Sequence, residues 1–312
     1  MNSIRSTLCN FVIFVALTLT HAEVVKNTAD FFPDINGNVS SITWAHAVNS
    51  QALLSAALND STMMLEADVL LGTVNDSEVV PIMAHPPNVT SDLSLEEFLK
   101  QILEYNTKSA SSKKGIKLDF KSIDVLESSV FILTNFYSKL NCPLWLNADI
   151  FPGPFNTTDT PVDPDRFLNS TKDFENATLS IGWKTRYGGE IVNASYTDDD
   201  ITTMMDFVRN NSIIQPITFP VRAGIAAQSI EQIKKLTRGV SNSTLTLWNA
   251  KEDPVNIENL RALIKEVGVK RVYVDLPDEL KDKLHLDQLA GTTNVKPIAF
   301  MWLALTAFVC LV

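Results

Sequence analysis

The chain has 312 residues, a formal net charge of -10 and a pI near 4.9. This acidity argues against nucleic acid as a partner, because phosphate backbones are bound by basic surfaces. It does not exclude a small phosphate ester, which needs only local positive charge or a metal. The length between the terminal segments, about 270 residues, suits one large α/β domain.

The N-terminal segment has the order of a secretory signal. Arg5 precedes a short apolar run over 11–19, and Thr20, His21 and Ala22 follow it as the cleavage-site region. The run is too short to cross a hydrocarbon layer of roughly 30 Å as a helix. We therefore predict a signal peptide over 1–22, cleaved after Ala22.

The mature region alternates between short β-branched runs and amphipathic stretches. In chain order we predict strands over 42–46, 63–70 and 79–84, a helix over 93–105, a strand over 115–120, a helix over 125–140, a strand over 144–149, a helix over 165–174, a strand over 177–183, a helix over 198–209, a strand over 213–220, a helix over 229–237, a strand over 244–248, a helix over 257–267 and a strand over 271–275.

Strand and helix in alternation indicate a parallel sheet, and this repeat predicts a single-domain (β/α)8 TIM barrel over 23–289. Nine strand candidates exceed the eight barrel positions. The loop around Gly72 and Asn75 indicates a hairpin, so the third run extends the second strand instead of forming a barrel strand. An open doubly wound α/β sheet is the alternative.

The glycosylation sequons and the cysteine content indicate whether the protein passes through the secretory pathway. A high density of Asn-x-Ser/Thr sequons in a chain with a predicted signal is typical of a secreted glycoprotein with these asparagines in surface loops. Cys142 is the one cysteine outside the terminal segments, so no internal disulfide is expected, and we interpret it as a buried apolar residue. The ten sequons are Asn38, Asn59, Asn75, Asn88, Asn156, Asn169, Asn176, Asn193, Asn210 and Asn242.

The C-terminal segment over 290–312 has small residues at Ala290, Gly291 and Thr292, a short polar stretch and an apolar tail over 297–312. This layout predicts a glycosylphosphatidylinositol (GPI) anchor signal, which would hold the protein in the outer leaflet at the extracellular face of the plasma membrane. A short inserted helix and a buried helix are the alternatives.

Polar residues recur at the carboxyl ends of the predicted strands, where a barrel of this type builds its site. Oxygen ligands from Glu66, Asp68 and Asp119 suit Mg²⁺, or Ca²⁺, better than zinc. Two imidazoles beside such a cation can perform acid/base chemistry, and a lysine can offset phosphoryl charge. We predict these catalytic roles for His46, His85 and Lys121.

Each residue also has a purely structural interpretation. A histidine in a strand is commonly a hydrogen-bonded core or loop residue, and Glu66 with Asp68 can form ion pairs with Lys117 or Lys121. The two imidazoles nevertheless fall at strand ends beside paired acids, and burying so many charges without use is costly. We expect a genuine site, active or vestigial.

These residues resemble the glycerophosphodiester phosphodiesterase superfamily, and Asp119-Phe120-Lys121 resembles the Asp-x-Lys of its spider-venom phospholipase D branch. Over about residues 40–280 the chain is similar to the menorin family. The sequence segments that carry this similarity are WAHAVNS, MLEADV, PIMAHPP, GIKLDFKS, PLWLNADI and LSIGWKT.

The resemblance implies a divalent metal on Glu66, Asp68 and Asp119, with His46 and His85 as the acid/base pair. The phosphodiesterases follow the first histidine with arginine, and Ala47 stands here, which puts a contact with the substrate phosphate in doubt. Lys117 or Lys121 is expected to make this phosphate contact in place of the arginine. Menorins are known chiefly as extracellular cues in neuronal patterning and sensory-cell maintenance, without an established substrate.

Two main hypotheses follow. The first is a metal-dependent, phospholipase D-like phosphodiesterase acting on a lysophospholipid or glycerophosphodiester head group. The second is a non-catalytic adhesion or co-ligand protein that binds receptor ectodomains and uses the barrel as a platform. A pocket that holds a lipid head group without cleaving it is a third.

Overall fold

The computed structural model describes residues 27–75, 78–109, 112–155 and 160–290. The predicted signal peptide, the sequon Asn156 and the predicted tail after Ala290 lie outside these residues. Within the described ranges, none of the helices has the length and apolar character needed to cross a membrane.

The described residues form ten strands, with helices between most of them. The strands are β1 Trp44–Ala45, β2 Met64–Val74, β3 Val80–Met83, β4 Thr90–Ser91, β5 Gly115–Phe120, β6 Leu144–Pro152, β7 Thr178–Lys184, β8 Ile217–Arg222, β9 Thr244–Trp248 and β10 Val272–Asp275. The helices are α1 Thr28–Phe31, α2 Gln51–Asn59, α3 Leu95–Lys108, α4 Ile123–Tyr137, α5 Pro164–Thr171, α6 Asp198–Asn210, α7 Ala223–Ala226, α8 Ile230–Gly239, α9 Ile257–Val267, α10 Asp278–Leu284 and α11 Leu286–Leu289.

Eight parallel strands follow one another around the sheet in the order β1, β2, β5, β6, β7, β8, β9, β10. This sequential order, without the reversal of a doubly wound sheet, confirms the (β/α)8 TIM barrel. The predicted hairpin is also confirmed, since β3 runs antiparallel to β2 with Val69 opposite Met83. β3 therefore lies off the barrel path.

The barrel is nearly closed. In the described residues no strand pairing joins β10 to β1. Other contacts bridge this seam: the Ser40 amide donates to the Val269 carbonyl oxygen at 3.2 Å, and the Trp44 and Tyr273 rings meet edge to face at 6.3 Å. Strand β1, which His46 follows, and strand β10, which ends at Asp275, are thus held side by side.

The barrel strands are apolar on the outside and polar on the inside. On β5, Ile116 and Leu118 are fully buried against the helices, whereas the alternate residues Lys117 and Asp119 face the interior. β2 repeats the pattern with Glu66 and Asp68 inward. Because successive side chains of a strand point to opposite faces, this alternation sends charged groups into the barrel.

Aromatic residues and the N-terminal segment close the amino-terminal end of the barrel. The rings of Trp145 and Tyr273 are 4.7 Å apart, and the Trp145 indole Nε1 donates to the Thr28 hydroxyl at 2.9 Å. Phe32 and Ile35 pack against the same cluster. The polar interior therefore opens toward the carboxyl ends of the strands.

Several predicted boundaries need correction. Helix α2 was not predicted; it begins after Ser50, whose hydroxyl accepts from the Leu53 amide at 3.3 Å. β8 begins at Ile217 instead of 213, because the residues before Pro216 form the turn after α6 and leave Ile214 82% exposed. β6 continues beyond Asp149 to Pro152.

The interpretation of Cys142 is confirmed, since it is a free and buried thiol. The nine sequon asparagines within the described residues include none that is buried, and all but Asn38 are exposed. Their glycosylation stays a prediction.

Candidate functional site

Three carboxyl groups converge at the carboxyl-terminal mouth of the barrel. Glu66, Asp68 and Asp119 each place a carboxylate oxygen within 4.8 Å of the other two. Adjacent strands produce this arrangement, because Asp68 on β2 lies directly opposite Asp119 on β5. Glu66 and Asp68 are 2% and 4% exposed, so both are removed from solvent.

The Lys121 ammonium lies between two of these acids. Its Nζ is 2.5 Å from Asp68 Oδ1 and also contacts Asp119 Oδ2. Burial raises the pKa of Asp119, but the charge and hydrogen bond of Lys121, together with Lys117 and Asn147, outweigh it and lower that pKa to about 2. In turn, burial disfavours charged Lys121, while Asp119 and Asp68 hold its pKa above the ordinary value. This lysine partly neutralises the acids.

His46 lies beside the acids and is oriented by a fourth carboxylate. Its Nδ1 is 3.2 Å from Asp275 Oδ2 and 3.4 Å from Glu66 Oε2. The negative charge of Glu66 is the main cause that raises the His46 pKa to about 9, against the lowering effect of burial. Because Nδ1 faces the carboxylates, Nε2 is the nitrogen available to a ligand. The side chain is 54% exposed at the mouth.

The loop after β1 holds two of the acids in place. The Ala47 amide donates to Glu66 Oε2 at 2.8 Å, with Ala47 in a left-handed conformation at φ 54°. Such a conformation costs a non-glycine residue about 1 kcal/mol. Asn49 donates to Asp68 Oδ2 at 2.7 Å and accepts from the Asp68 amide at 2.9 Å. These contacts set the carboxylate directions.

A hydrogen-bond chain supports Asp119 from the other side. Ser180 Oγ donates to Asn147 Oδ1 at 2.5 Å, and Asn147 Nδ2 donates to Asp119 Oδ1 at 2.6 Å. Ser180 and Asn147 are buried on β7 and β6. Partners of this kind orient carboxylates in cation sites.

The second predicted imidazole does not contact the acids in this structure. His85 follows β3, and its backbone neighbour Ala84 donates to the Asp68 carbonyl oxygen at 3.0 Å. The His85 side chain is exposed, with Nδ1 2.7 Å from the Pro86 carbonyl oxygen. The residue is therefore next to the site in backbone position, with its ring turned to its own loop.

Negative charge exceeds positive charge at the mouth. Lys117 Nζ lies 3.8 Å from Asp275 Oδ2, and burial raises the pKa of Asp149 to about 7. Burial also raises the Glu66 pKa, with His46 opposing it. The five carboxyl groups Glu66, Asp68, Asp119, Asp149 and Asp275 thus face four basic groups, His46, Lys117, Lys121 and Lys184.

The acid cluster has the chemistry and the size for a hard divalent cation. All three donors are carboxylate oxygens, as Mg²⁺ and Ca²⁺ prefer. Two oxygens that are each about 2.4 Å from a Ca²⁺ ion can be up to about 4.8 Å apart, which agrees with the separation within the cluster. The excess of carboxyl groups provides the attraction, and Lys121 would have to shift to admit the ion.

The sequence pattern assigned no role to Asp275, and it did not identify the supporting roles of Asn49, Asn147 and Ser180. Asn147 and Ser180 occupy strand positions whose side chains point into the barrel. This alternation was the available signal, since alternate residues of a strand share a face. Asn49 lies three positions after His46, in a loop whose path the sequence pattern does not define.

Comparison with known proteins gives the family. The family model of the Menorin N-terminal domain matches residues 38–281 of this chain. Human Protein FAM151B is 38% identical over 238 residues, which cover 76% of this chain and 83% of that protein.

Solved structures give much weaker likenesses. A putative phosphonomutase from Burkholderia cenocepacia aligns with TM-score 0.41 and 11% identity over 84% of this chain and 98% of that chain. An octameric ribulose-1,5-bisphosphate carboxylase/oxygenase from Pyrococcus horikoshii aligns with TM-score 0.42 and 10% identity over 84% of this chain and 62% of that chain. The match over residues 38–281 covers most of the chain, and with the human relative it establishes that this protein belongs to the menorin family.

Proposed function

We propose that the acid cluster binds a divalent cation, Mg²⁺ or Ca²⁺, and that the mouth binds a phosphodiester, which His46 helps to cleave. The observation that carries the proposal is the convergence of Glu66, Asp68 and Asp119 within 4.8 Å beside an imidazole. The resemblance of these residues to the glycerophosphodiester phosphodiesterases points in the same direction.

The roles of the residues follow from their positions. A divalent cation on the three acids would polarise a phosphoryl oxygen. His46 Nε2, with Nδ1 fixed by Asp275, is placed to give or take a proton at a substrate oxygen. Lys121 supplies positive charge next to both aspartates and offsets the charge of a phosphoryl group. His85 would contribute only after its ring leaves the Pro86 carbonyl.

The test is hydrolysis by the purified full-length protein in Mg²⁺ or Ca²⁺, using bis(p-nitrophenyl) phosphate, glycerophosphocholine and lysophosphatidylcholine. We expect turnover that His46→Ala and Asp119→Asn each reduce by at least 100-fold. His285→Ala is the matched control, because His285 is an exposed imidazole outside the mouth. Turnover that survives in both site variants would refute the catalytic proposal.

One observation favours a second, non-catalytic function. The structure brings one imidazole to the acids, not two, since His85 faces Pro86. A cation-loaded mouth can then bind a lipid head group or support a receptor ectodomain without cleavage. A pull-down of receptor ectodomains by a His46→Ala/His85→Ala double variant tests this alternative: retained binding supports it, and lost binding with the fold intact contradicts it.

The proposed location is the extracellular face of the plasma membrane, through secretion and a GPI anchor. The exposure of eight sequon asparagines supports passage through the secretory pathway. Phosphatidylinositol-specific phospholipase C should release the protein from expressing cells, and full retention would contradict the anchor.

A further inference from the structure

An open groove lies at the amino-terminal end of the barrel, opposite the acid cluster. Its volume is about 780 Å³, and one wall contains Thr178, Ile217 and Thr244, the first residues of β7, β8 and β9. Val208 and Arg209, near the end of α6, belong to a second wall. Because TIM barrels build their active sites at the carboxyl ends of the strands, this groove is separate from the candidate site described above.

The groove lining mixes neutral polar groups with apolar ones. Ser212, Gln215 and Ser241 supply hydrogen-bonding side chains, and Ile213 and Ile214 supply apolar surface. A sugar ring has the matching chemistry, with hydroxyl groups at its edge and C–H groups on its faces. The groove volume also falls within the range of roughly 300–1,000 Å³ that is typical of small-ligand sites.

Charge contributes little to this surface. Arg209 of the lining pairs with Asp206, whose Oδ1 is 3.0 Å from the guanidinium Nη1. Lys270 is the remaining charged residue among the lining residues that the structure describes. The groove therefore suits a largely neutral ligand better than a phosphate or a nucleic acid.

Two of the glycosylation sequons meet at the groove. Asn242 and Thr244, the first and third residues of one sequon, both line it, and Ser212 is the hydroxyl residue of the sequon at Asn210. Asn242 is exposed, with a left-handed backbone conformation at φ 60°. A glycan on Asn242 thus begins at the groove lining.

The covalent link favours this glycan over a free ligand. A group tethered by a short link is present at an effective concentration in the mM range, so weak contacts are sufficient to hold it. A free sugar or a second protein would have to offset the full loss of translational and rotational freedom. A bulky glycan on Asn242 would also obstruct the approach of any other partner.

We infer that the groove binds the first N-acetylglucosamine units of an N-linked glycan carried by Asn242. This inference rests on the proposed passage through the secretory pathway. It goes beyond that proposal by assigning a carbohydrate-binding site to one cavity and by making one glycan part of the packed base of the barrel.

The test measures how fast peptide-N-glycosidase F releases each glycan from the native full-length protein isolated from mammalian cells. Release converts the modified asparagine to aspartate, which peptide mass spectrometry locates. The glycan must leave the groove before cleavage, so release at Asn242 should be about tenfold slower than at Asn176, the protection that one or two hydrogen bonds would give. Asn176 is the matched site, because it is exposed at the same end of the barrel and is not part of the groove lining.

Two variants separate binding in the groove from general crowding of the site. Ile214→Asp removes apolar surface from the groove and leaves both sequons intact; Ile214 is highly exposed, so the variant should fold. Release at Asn242 should then be as fast as at Asn176. Val79→Asp is the matched control, since Val79 is an exposed apolar residue before β3 at the opposite end of the barrel, and it should leave the slow release unchanged.

The outcomes distinguish the inference from the proposed secretion. Release at Asn242 as fast as at Asn176, as another occupant of the groove would produce, or slow release that Ile214→Asp retains overturns the inference. An unmodified Asn242 in a protein whose other sequons carry glycans overturns it as well and leaves secretion standing. Protein without a glycan at any sequon overturns both.

Discussion

Replacement of Lys121 by methionine isolates the electrostatics of the acid cluster. The Lys121 ammonium contacts Asp68 and Asp119, whose side chains taken alone are 6% and 20% exposed. Removal of one partner of a buried ion pair costs about 3–5 kcal/mol, and the partial exposure here favours the lower end. For a domain of this size, about 3 kcal/mol corresponds to a melting temperature lower by roughly 6–12 °C.

The same variant should become dependent on a divalent cation. With the ammonium absent, the three acids have a vacant charge-neutralising position, so Mg²⁺ or Ca²⁺ at about 100 times its Kd should restore about 2.7 kcal/mol. Thermal unfolding of the variant, with and without cation, measures both effects.

Lys234→Met is the matched control. Lys234 also contacts two carboxylates, Glu231 and Glu266, but these are 75% and 49% exposed. Its loss should cost about 0.5 kcal/mol or less, with no cation dependence. A Lys121→Met variant as stable as the wild type, or one whose loss of stability divalent cations do not reverse, would refute the reasoning.

Three further outcomes are expected. Asn147→Ala should lower the free energy of unfolding by about 1–3 kcal/mol, because Asp119 Oδ1 and Ser180 Oγ lose their partner; urea denaturation measures this against the exposed Asn211→Ala, and equal stabilities would contradict it. Burial raises the Asp149 pKa to about 7, above its unfolded value near 3.9, so the stability linked to the protonated carboxyl is present below pH 4 and lost as pH rises through 7. The Asp149→Asn variant should therefore gain stability relative to the wild type by on the order of 1 kcal/mol per pH unit from pH 4 to 7, and parallel pH profiles of the two proteins would count against this. Burial raises the Cys142 pKa to about 12, so peptide mapping should find that iodoacetamide modifies this thiol at pH 8 only after unfolding.

Strong local patterns made much of the fold predictable. The strands Gly115–Phe120 and Thr244–Trp248 and the helix Ile257–Val267 have the predicted bounds, because their periodicity is sharp and turn residues flank them. Helix α2 escaped prediction, since its sequence QALLSAALN leaves Leu53 50% exposed and has no clear apolar face.

The candidate site was also predictable in part: its strand residues were, and its loop residues were not. Strand alternation was sufficient to expect Glu66, Asp68 and Asp119 on one surface, and the structure brings them together. It was not sufficient for side chains on loops. The His85 ring direction depends on the local path through Pro86, and the Ala47 amide reaches Glu66 only because φ is positive there. The register shift of β6 between Asp149 and Phe151 likewise has no signal in the hydrophobic pattern.

The most direct test of the central claim is calorimetric titration of Mg²⁺ and Ca²⁺ into the purified protein, with Glu66→Gln, Asp119→Asn and the control Asp206→Asn, which changes a half-exposed acid on α6 that pairs with Arg209. A divalent-cation site on the three acids predicts one bound ion per chain for the wild type and the control, and at least a tenfold weaker affinity for each site variant. Wild-type protein that takes up no cation, or site variants that bind as tightly as the control, would contradict it.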